Sequence, residues 1–229
     1  MIGIYNYTVI LTYLSLISAG TGIIVTLSDS GHPYWGVLFL LLCGLCDAFD
    51  GQVARTKKDR TRAEMNYGIQ IDSLSDVVAF GVLPACIGVA IFRTSGFFAS
   101  VSAESYFPFL KYAYFSILIL YILAALIRLA HFNVTEEERQ SEEDGVRKYY
   151  TGLPVTSSAL IFPSFMILRY ITPIDISIAF LPLILFTAFA FLGKFTLRKP
   201  KLGGILIMVG IGFVEALVLF LCLYFRLRG

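Results

Sequence analysis

The chain has 229 residues, 57% of them hydrophobic on a broad count and 15% charged. Soluble domains sit near about 45–50% apolar and about 25% charged, so a mean hydropathy of +0.78 excludes water as the sole solvent. A formal net charge of only +2 excludes the strongly basic balance of a nucleic-acid partner.

A membrane-spanning helix needs about 20 predominantly apolar residues. In chain order such runs fall at residues 7–27, 34–54, 70–92, 107–132, 152–171, 174–193 and 203–225. The first has no Lys or Arg before it and is longer than a signal peptide's apolar core, which predicts a retained helix. Ser28-Asp29-Ser30-Gly31-His32-Pro33 separates spans 1 and 2, and Ile171-Thr172-Pro173 separates spans 5 and 6. Pro182 interrupts the sixth run, so six or eight spans are the alternatives to seven. The expected fold is all-α: a polytopic transmembrane helical bundle forming a single membrane domain over residues 1–229. Cys43, Cys46, Cys86 and Cys222 lie in apolar runs and read as buried, inert thiols.

Charge sets the orientation. Arg55, Lys57, Lys58, Arg60 and Arg62 follow span 2; Arg139, Arg147 and Lys148 follow span 4; Lys194, Arg198, Lys199 and Lys201 follow span 6. The opposite loops hold only Arg93, Lys111 and Arg169. The positive-inside rule places the richer side in the cytoplasm. Arg226 and Arg228 then fall outside, against the rule. The acidic run Glu136-Glu137-Glu138 with Glu142, Glu143 and Asp144 reads as a solvated loop.

Four aspartates carry the chemistry. Asp47 and Asp50 are i and i+3 at the end of span 2, and Asp72 and Asp76 are i and i+4 at the start of span 3, so each pair shares a helix face. The two spans are antiparallel neighbours across a short loop, which lets all four carboxylates converge near the cytoplasmic face. Carboxylates at that depth are costly and repel one another. A divalent cation removes both problems, and an all-oxygen donor set suits Mg²⁺, Mn²⁺ or Ca²⁺. Gly51 and Ala54 leave a shallow groove on span 2, Gly68 does so on span 3, and Arg55 offers a planar, permanent cation suited to a diphosphate. The plain alternative is a set of solvated helix ends.

The order Asp47, Asp50, Gly51, Ala54, Arg55, Gly68, Asp72, Asp76 resembles the signature D-x2-D-G-x2-A-R-spacer-G-x3-D-x3-D of the CDP-alcohol phosphatidyltransferases. One departure is the spacer: Thr56 to Tyr67 is longer than that family's usual one. The resemblance implies that Asp47, Asp50 and Asp72 ligate two metal ions, Mg²⁺ or Mn²⁺. It implies that Asp76 adds to the second ion and is the catalytic base. Gly51, Ala54, Arg55 and Gly68 would contact a CDP-lipid, and Thr61 in the spacer would meet phosphate. Asn6 and Thr8, at the cytoplasmic start of span 1, would touch the nucleotide or act as an interfacial cap. Relatives of this kind imply a homodimer in the plasma membrane with the site facing the cytoplasm.

Three further segments, 72–85, Arg128-Leu129-Ala130-His131-Phe132-Asn133 and Tyr150-Thr151-Gly152-Leu153-Pro154, resemble the branch of that family whose acceptor is L-serine and whose donor is CDP-diacylglycerol. His131 stands where that branch has Arg. Arg128 would bind the serine carboxylate, with His131 and Asn133 beside it; a snorkelling helix-end arginine is the alternative. Glycerol-3-phosphate or inositol phosphate as acceptor, an archaeal-type lipid donor, and a divalent cation transporter are the competing readings.

Overall fold

The computed structural model describes residues 3–142, 149–198 and 202–226; Arg147, Lys148, Lys199, Lys201, Arg228, Glu143 and Asp144 lie outside the described residues. A 3₁₀ turn, Tyr7–Val9, opens the bundle, with the Asn6 side chain accepting from the Thr8 N–H. It leads into α1 (Ile10–Leu27). The next helix, α2 (Pro33–Ala54), starts on Pro33, whose missing N–H costs nothing in a first turn.

After a short loop comes α3 (Arg62–Asp76), started by a capping box between Thr61 and Glu64. It runs without a break through a π-helical turn, Val77–Val82, into α4 (Leu83–Thr94). The short α5 (Gly96–Ser100) and the long α6 (Phe107–Glu142) follow. Then come β1 (Tyr149–Thr151), α7 (Ser158–Ile171), α8 (Phe180–Leu192), β2 (Thr196–Arg198) and α9 (Leu202–Arg226).

Among the described residues five helical stretches are long and apolar enough to cross a membrane: Tyr7–Leu27, Pro33–Ala54, Arg62–Thr94, Phe107–Glu136 and Leu202–Tyr224. Val155–Ile171 and Ser177–Leu192 are apolar but shorter. Exposed Leu206, Ile207, Phe213 and Phe220 along α9 give this element a lipid-facing surface, and the chain is an integral membrane protein. All seven apolar runs are helical, with shifted ends. The fifth starts late because Gly152 has φ +74° and Pro154 is extended. Pro182 does not interrupt the sixth: it lies in the first turn of α8, where its absent N–H would have had no helical partner.

The core is built of rings and small residues. Tyr34, Tyr114, Tyr121, Phe80, Phe162 and Phe180 are fully buried. Between α2 and α7 the approach is close enough that a Cβ on Gly44 would stand 2.6 Å from that of Ala159, the small-residue packing that membrane helices depend on.

The π turn has an identifiable cause. Pro84 has no N–H to return to the helix ladder, and Leu83 N–H reaches back five residues to the Val78 carbonyl. The Phe80 carbonyl, four residues before Pro84, accepts instead from the Tyr121 hydroxyl of α6 at 2.7 Å. At the far end of the bundle from the basic loop, the Arg93 guanidinium donates to the carbonyls of Leu27 and Ser28 at the end of α1. Asp175 there accepts from Ser95 Oγ, Phe97 N and Ser177 N.

Candidate active site

Two hydrogen bonds set the rotation of α3 about its axis. Ser73 Oγ accepts from Asn133 Nδ2 of α6 at 2.7 Å, and Ser75 Oγ donates to the Thr12 carbonyl of α1 at 3.3 Å. With Ser73 tied to α6 and Ser75 tied to α1, the intervening face carries Asp72 and Asp76 toward α2. There one carboxylate oxygen from each of Asp47, Asp50 and Asp72 lies within 4.8 Å of the others. Oxygens bound to one divalent ion at about 2.0–2.6 Å stand no more than about 4–5 Å apart, so this donor set fits a hard cation. Asp76 is buried, 8% exposed, and lines the same cavity.

The cavity measures about 990 Å³ and runs between α2, α6, the start of α7 and α9. One wall is acidic, with all four aspartates; Gly51, Gln52 and Arg55 continue it toward the loop. A second wall is apolar, with Leu38, Leu41 and Leu45 of α2 facing Met208, Val209 and Phe213 of α9. The third is polar and cationic, with Arg128, Thr156, Ser157 and Arg198. Such a space offers charge at one end and an acyl-compatible cleft along its length.

The cationic wall depends on a contact between distant segments. Arg128 is 6% exposed; its Nε donates to the Leu153 carbonyl at 3.2 Å, and its guanidinium carbon lies 5.6 Å from the Phe132 ring centroid. Leu153 is placed by a two-stranded antiparallel ribbon in which Tyr149, Tyr150 and Thr151 face Arg198, Leu197 and Thr196. Gly152 N–H donates to the Phe195 carbonyl and Leu153 N–H to that of Ala190. Only glycine serves at 152: its φ is positive, and a Cβ would meet the Gly193 carbonyl oxygen at 2.7 Å.

The structure sorts the residues singled out from the sequence. Asp47, Asp50, Gly51, Arg55, Asp72, Asp76 and Arg128 share the cavity, whereas Ala54, Gly68, His131 and Asn133 are not on its lining. Asn133 holds Ser73, and His131 is exposed on α6. Thr61 is occupied as the cap of α3. Asn6 caps the first turn and donates to Glu64 Oε1 at 2.9 Å, and Thr8 is buried against it.

Gln52, Thr156, Ser157 and Arg198 were not anticipated. Thr156 and Ser157 follow the Gly-Leu-Pro step after one intervening residue, Val155, and that step was the available signal. Arg198 had none beyond its place in a basic loop.

A bundle of apolar helices with a partly buried carboxylate cluster at one end of an apolar-walled cleft defines a membrane-embedded class of protein whose aspartates could hold a metal ion. The chain belongs to the CDP-alcohol phosphatidyltransferase family, whose model matches residues 5–214. It is similar to a CDP-diacylglycerol–serine O-phosphatidyltransferase of Saccharomyces cerevisiae, 37% identical over 59% of this chain and 43% of the relative. It is also similar to an archaetidylserine synthase of Methanothermobacter thermautotrophicus, 31% identical over 73% and 61%. A CDP-diacylglycerol–serine O-phosphatidyltransferase of Methanocaldococcus jannaschii is 27% identical over 72% and 64%. The matched stretch thus spans about half the length of these relatives.

Proposed function

We propose that the protein transfers a phosphatidyl group from CDP-diacylglycerol to L-serine, forming phosphatidylserine and releasing CMP. The observation that carries this reading is one cavity holding four carboxylates, an apolar cleft and the Arg128 wall together. Asp47, Asp50 and Asp72 would hold divalent metal, Mg²⁺ or Mn²⁺, with Asp76 completing a second position. Bound there, the metal would neutralise charge on the diphosphate and polarise the phosphorus under attack.

The protein's own residues supply the rest. Asp76 accepts the proton of the serine hydroxyl. That oxygen bonds to the phosphorus carrying diacylglycerol, and the bond from this phosphorus to the bridging oxygen breaks, so that the bridging oxygen leaves on CMP. A carboxylate is a weak base for an alcohol, so positioning and electrostatics supply most of the rate. Arg128 binds the serine carboxylate, its guanidinium held by the Leu153 carbonyl and Phe132. The apolar wall between α2 and α9 takes the acyl chains. Both water-soluble species enter and leave at the basic-loop end, which faces the cytoplasm from the plasma membrane.

The test is CMP release by purified protein with Mn²⁺ or Mg²⁺. Each donor, CDP-diacylglycerol and its archaeal ether-lipid counterpart, is offered with serine, glycerol-3-phosphate and inositol phosphate. The expected result is release with serine, lost on chelation and restored by either ion. Release with none of the acceptors would sink the enzyme reading; release with glycerol-3-phosphate and not serine would sink only the acceptor.

A further inference from the structure

The spacer between Arg55 and Gly68 has a use that the eight motif positions do not account for. Its Thr61 is committed to the capping box of α3, and its Lys57 is paired with Glu64 at 2.6 Å. Arg60 is different. It is half-buried, its Nε is buried without a hydrogen-bond partner, and its Nη2 donates to the Glu64 main-chain carbonyl at 3.3 Å. Among the described residues no carboxylate pairs with it. A partly desolvated cation with spare donors and no counter-charge is costly, and an anion settles that cost.

Where Arg60 sits decides which anion. Its Nη2 lies against Gly68, 2.8 Å from where a Cβ would stand. Gly68, Asp72 and Asp76 follow one another at i, i+4 and i+8 on one stripe of α3, so Arg60 stands about one helical turn, about 6 Å, outward of Asp72. On the facing helix the same arrangement recurs: Arg55 Nη1 lies 3.6 Å from a Cβ built on Gly51, beside Asp50. Two guanidinium groups, each seated on a bare glycine, therefore bracket the carboxylate cluster on its loop side.

We propose that Arg60 is a binding residue for the nucleotide half of the CDP-lipid, contacting the phosphate that departs with cytidine at Gly68. The proposal rests on the phosphatidyl-transfer reading above. With diacylglycerol directed into the apolar cleft, the cytidine end of the donor points outward along the Asp72–Gly68 stripe toward the loop. A guanidinium fork there binds a phosphate through two donors at once, which a lysine cannot copy.

The experiment uses the full chain in detergent, with CMP binding by calorimetry in the presence of Mn²⁺ and steady-state kinetics in parallel. Arg60→Ala and Arg60→Gln are expected to weaken CMP binding about tenfold and raise the KM for the CDP-lipid similarly, with the serine KM within about twofold of wild type; Arg60→Lys should fall between. Arg62→Ala, which removes a neighbouring exposed charge, should leave CMP affinity unchanged. Wild-type CMP affinity in both Arg60→Ala and Arg60→Gln overturns the proposal, and so does an equal loss in Arg62→Ala, which would mean bulk electrostatics. Wild-type protein that neither binds CMP nor turns over overturns this proposal together with the reading beneath it, whereas normal wild-type turnover with unaffected Arg60 variants overturns this proposal alone.

Discussion

Asp76 and Asp72 are one helical turn apart on α3, yet only Asp72 joins Asp47 and Asp50 in the tight three-oxygen group. That difference supports separate duties, with Asp76 as base. Asp76→Asn keeps the size and hydrogen-bonding capacity of the side chain and removes its basicity. It should lower kcat by at least about 100-fold, the scale of general base catalysis, while CDP-lipid binding stays within a few-fold. Near-normal kcat in Asp76→Asn would remove Asp76 as base.

Thr61 makes the opposite point. A hydroxyl in a basic loop reads equally well as a phosphate ligand or a helix cap, and the structure gives it to the cap. The Thr61-x-x-Glu64 spacing was a legible capping-box signature, although the resemblance pointed elsewhere. Thr61→Ala should therefore cost about 1 kcal/mol of stability, seen as a lower thermal midpoint, with the KM for the CDP-lipid unchanged. A raised KM without loss of stability would return Thr61 to the substrate.

At the scale of elements, what was legible followed from local geometry. The aspartate spacings at i+3 and i+4 determine a shared helix face before any tertiary contact exists, and the apolar runs of α1, α2 and α9 are long enough to declare themselves. The β1–β2 ribbon was not legible, because strands of three residues carry no periodicity and their pairing closes a long stretch of chain. The Arg128–Leu153 contact depends on that ribbon and was invisible for the same reason. The ribbon's hinge gives a direct check. Gly152→Ala puts a Cβ against the Gly193 and Phe191 carbonyl oxygens at 2.7 and 2.9 Å and forces a non-glycine residue to positive φ. A cost of about 1–3 kcal/mol is expected, and displacement of Leu153 should raise the serine KM more than the lipid KM. Equal changes in both would mean that Arg128 does not depend on Leu153 for its position.

Across the whole molecule the two ends differ in kind. The end bearing the acid-lined cavity also carries the basic loop 55–62, and the other is closed by hydrogen bonds between distant segments, such as those that Asp175 accepts from Ser95 and Phe97. Burial works against the charge of Asp175, but donors from Ser177, the Phe97 N–H and Ser95 hold its carboxyl below the ordinary carboxylate range. A depressed value in the folded state means that Asp175 contributes stability above the unfolded value of about 4 and loses it as pH falls through the folded value. Because the group is exposed, screening holds the contribution under about 1 kcal/mol. The thermal midpoints of wild type and Asp175→Asn should differ at pH 7, and the gap should narrow progressively as the pH is taken below about 4; a constant gap would show that the contact does not depend on its charge.

The same polarity predicts sidedness. On the proposed reading the cavity takes up serine and releases CMP, both unable to cross lipid unaided, so it would work from the compartment that supplies them, and the cationic loop resists translocation. Lys58 and Lys111 are exposed at opposite ends, while Cys43, Cys46 and Cys222 are buried; Cys86, expected to be buried as well, is only partly so and sets the background label in the parent protein. In cells opened only at the outer face, an impermeant maleimide should label Lys111→Cys and spare Lys58→Cys, and inverted vesicles should reverse the pattern. Labelling of Lys58→Cys from outside would place the acid cluster on the far side of the membrane and require an external supply of nucleotide lipid, which would overturn the cytoplasmic orientation.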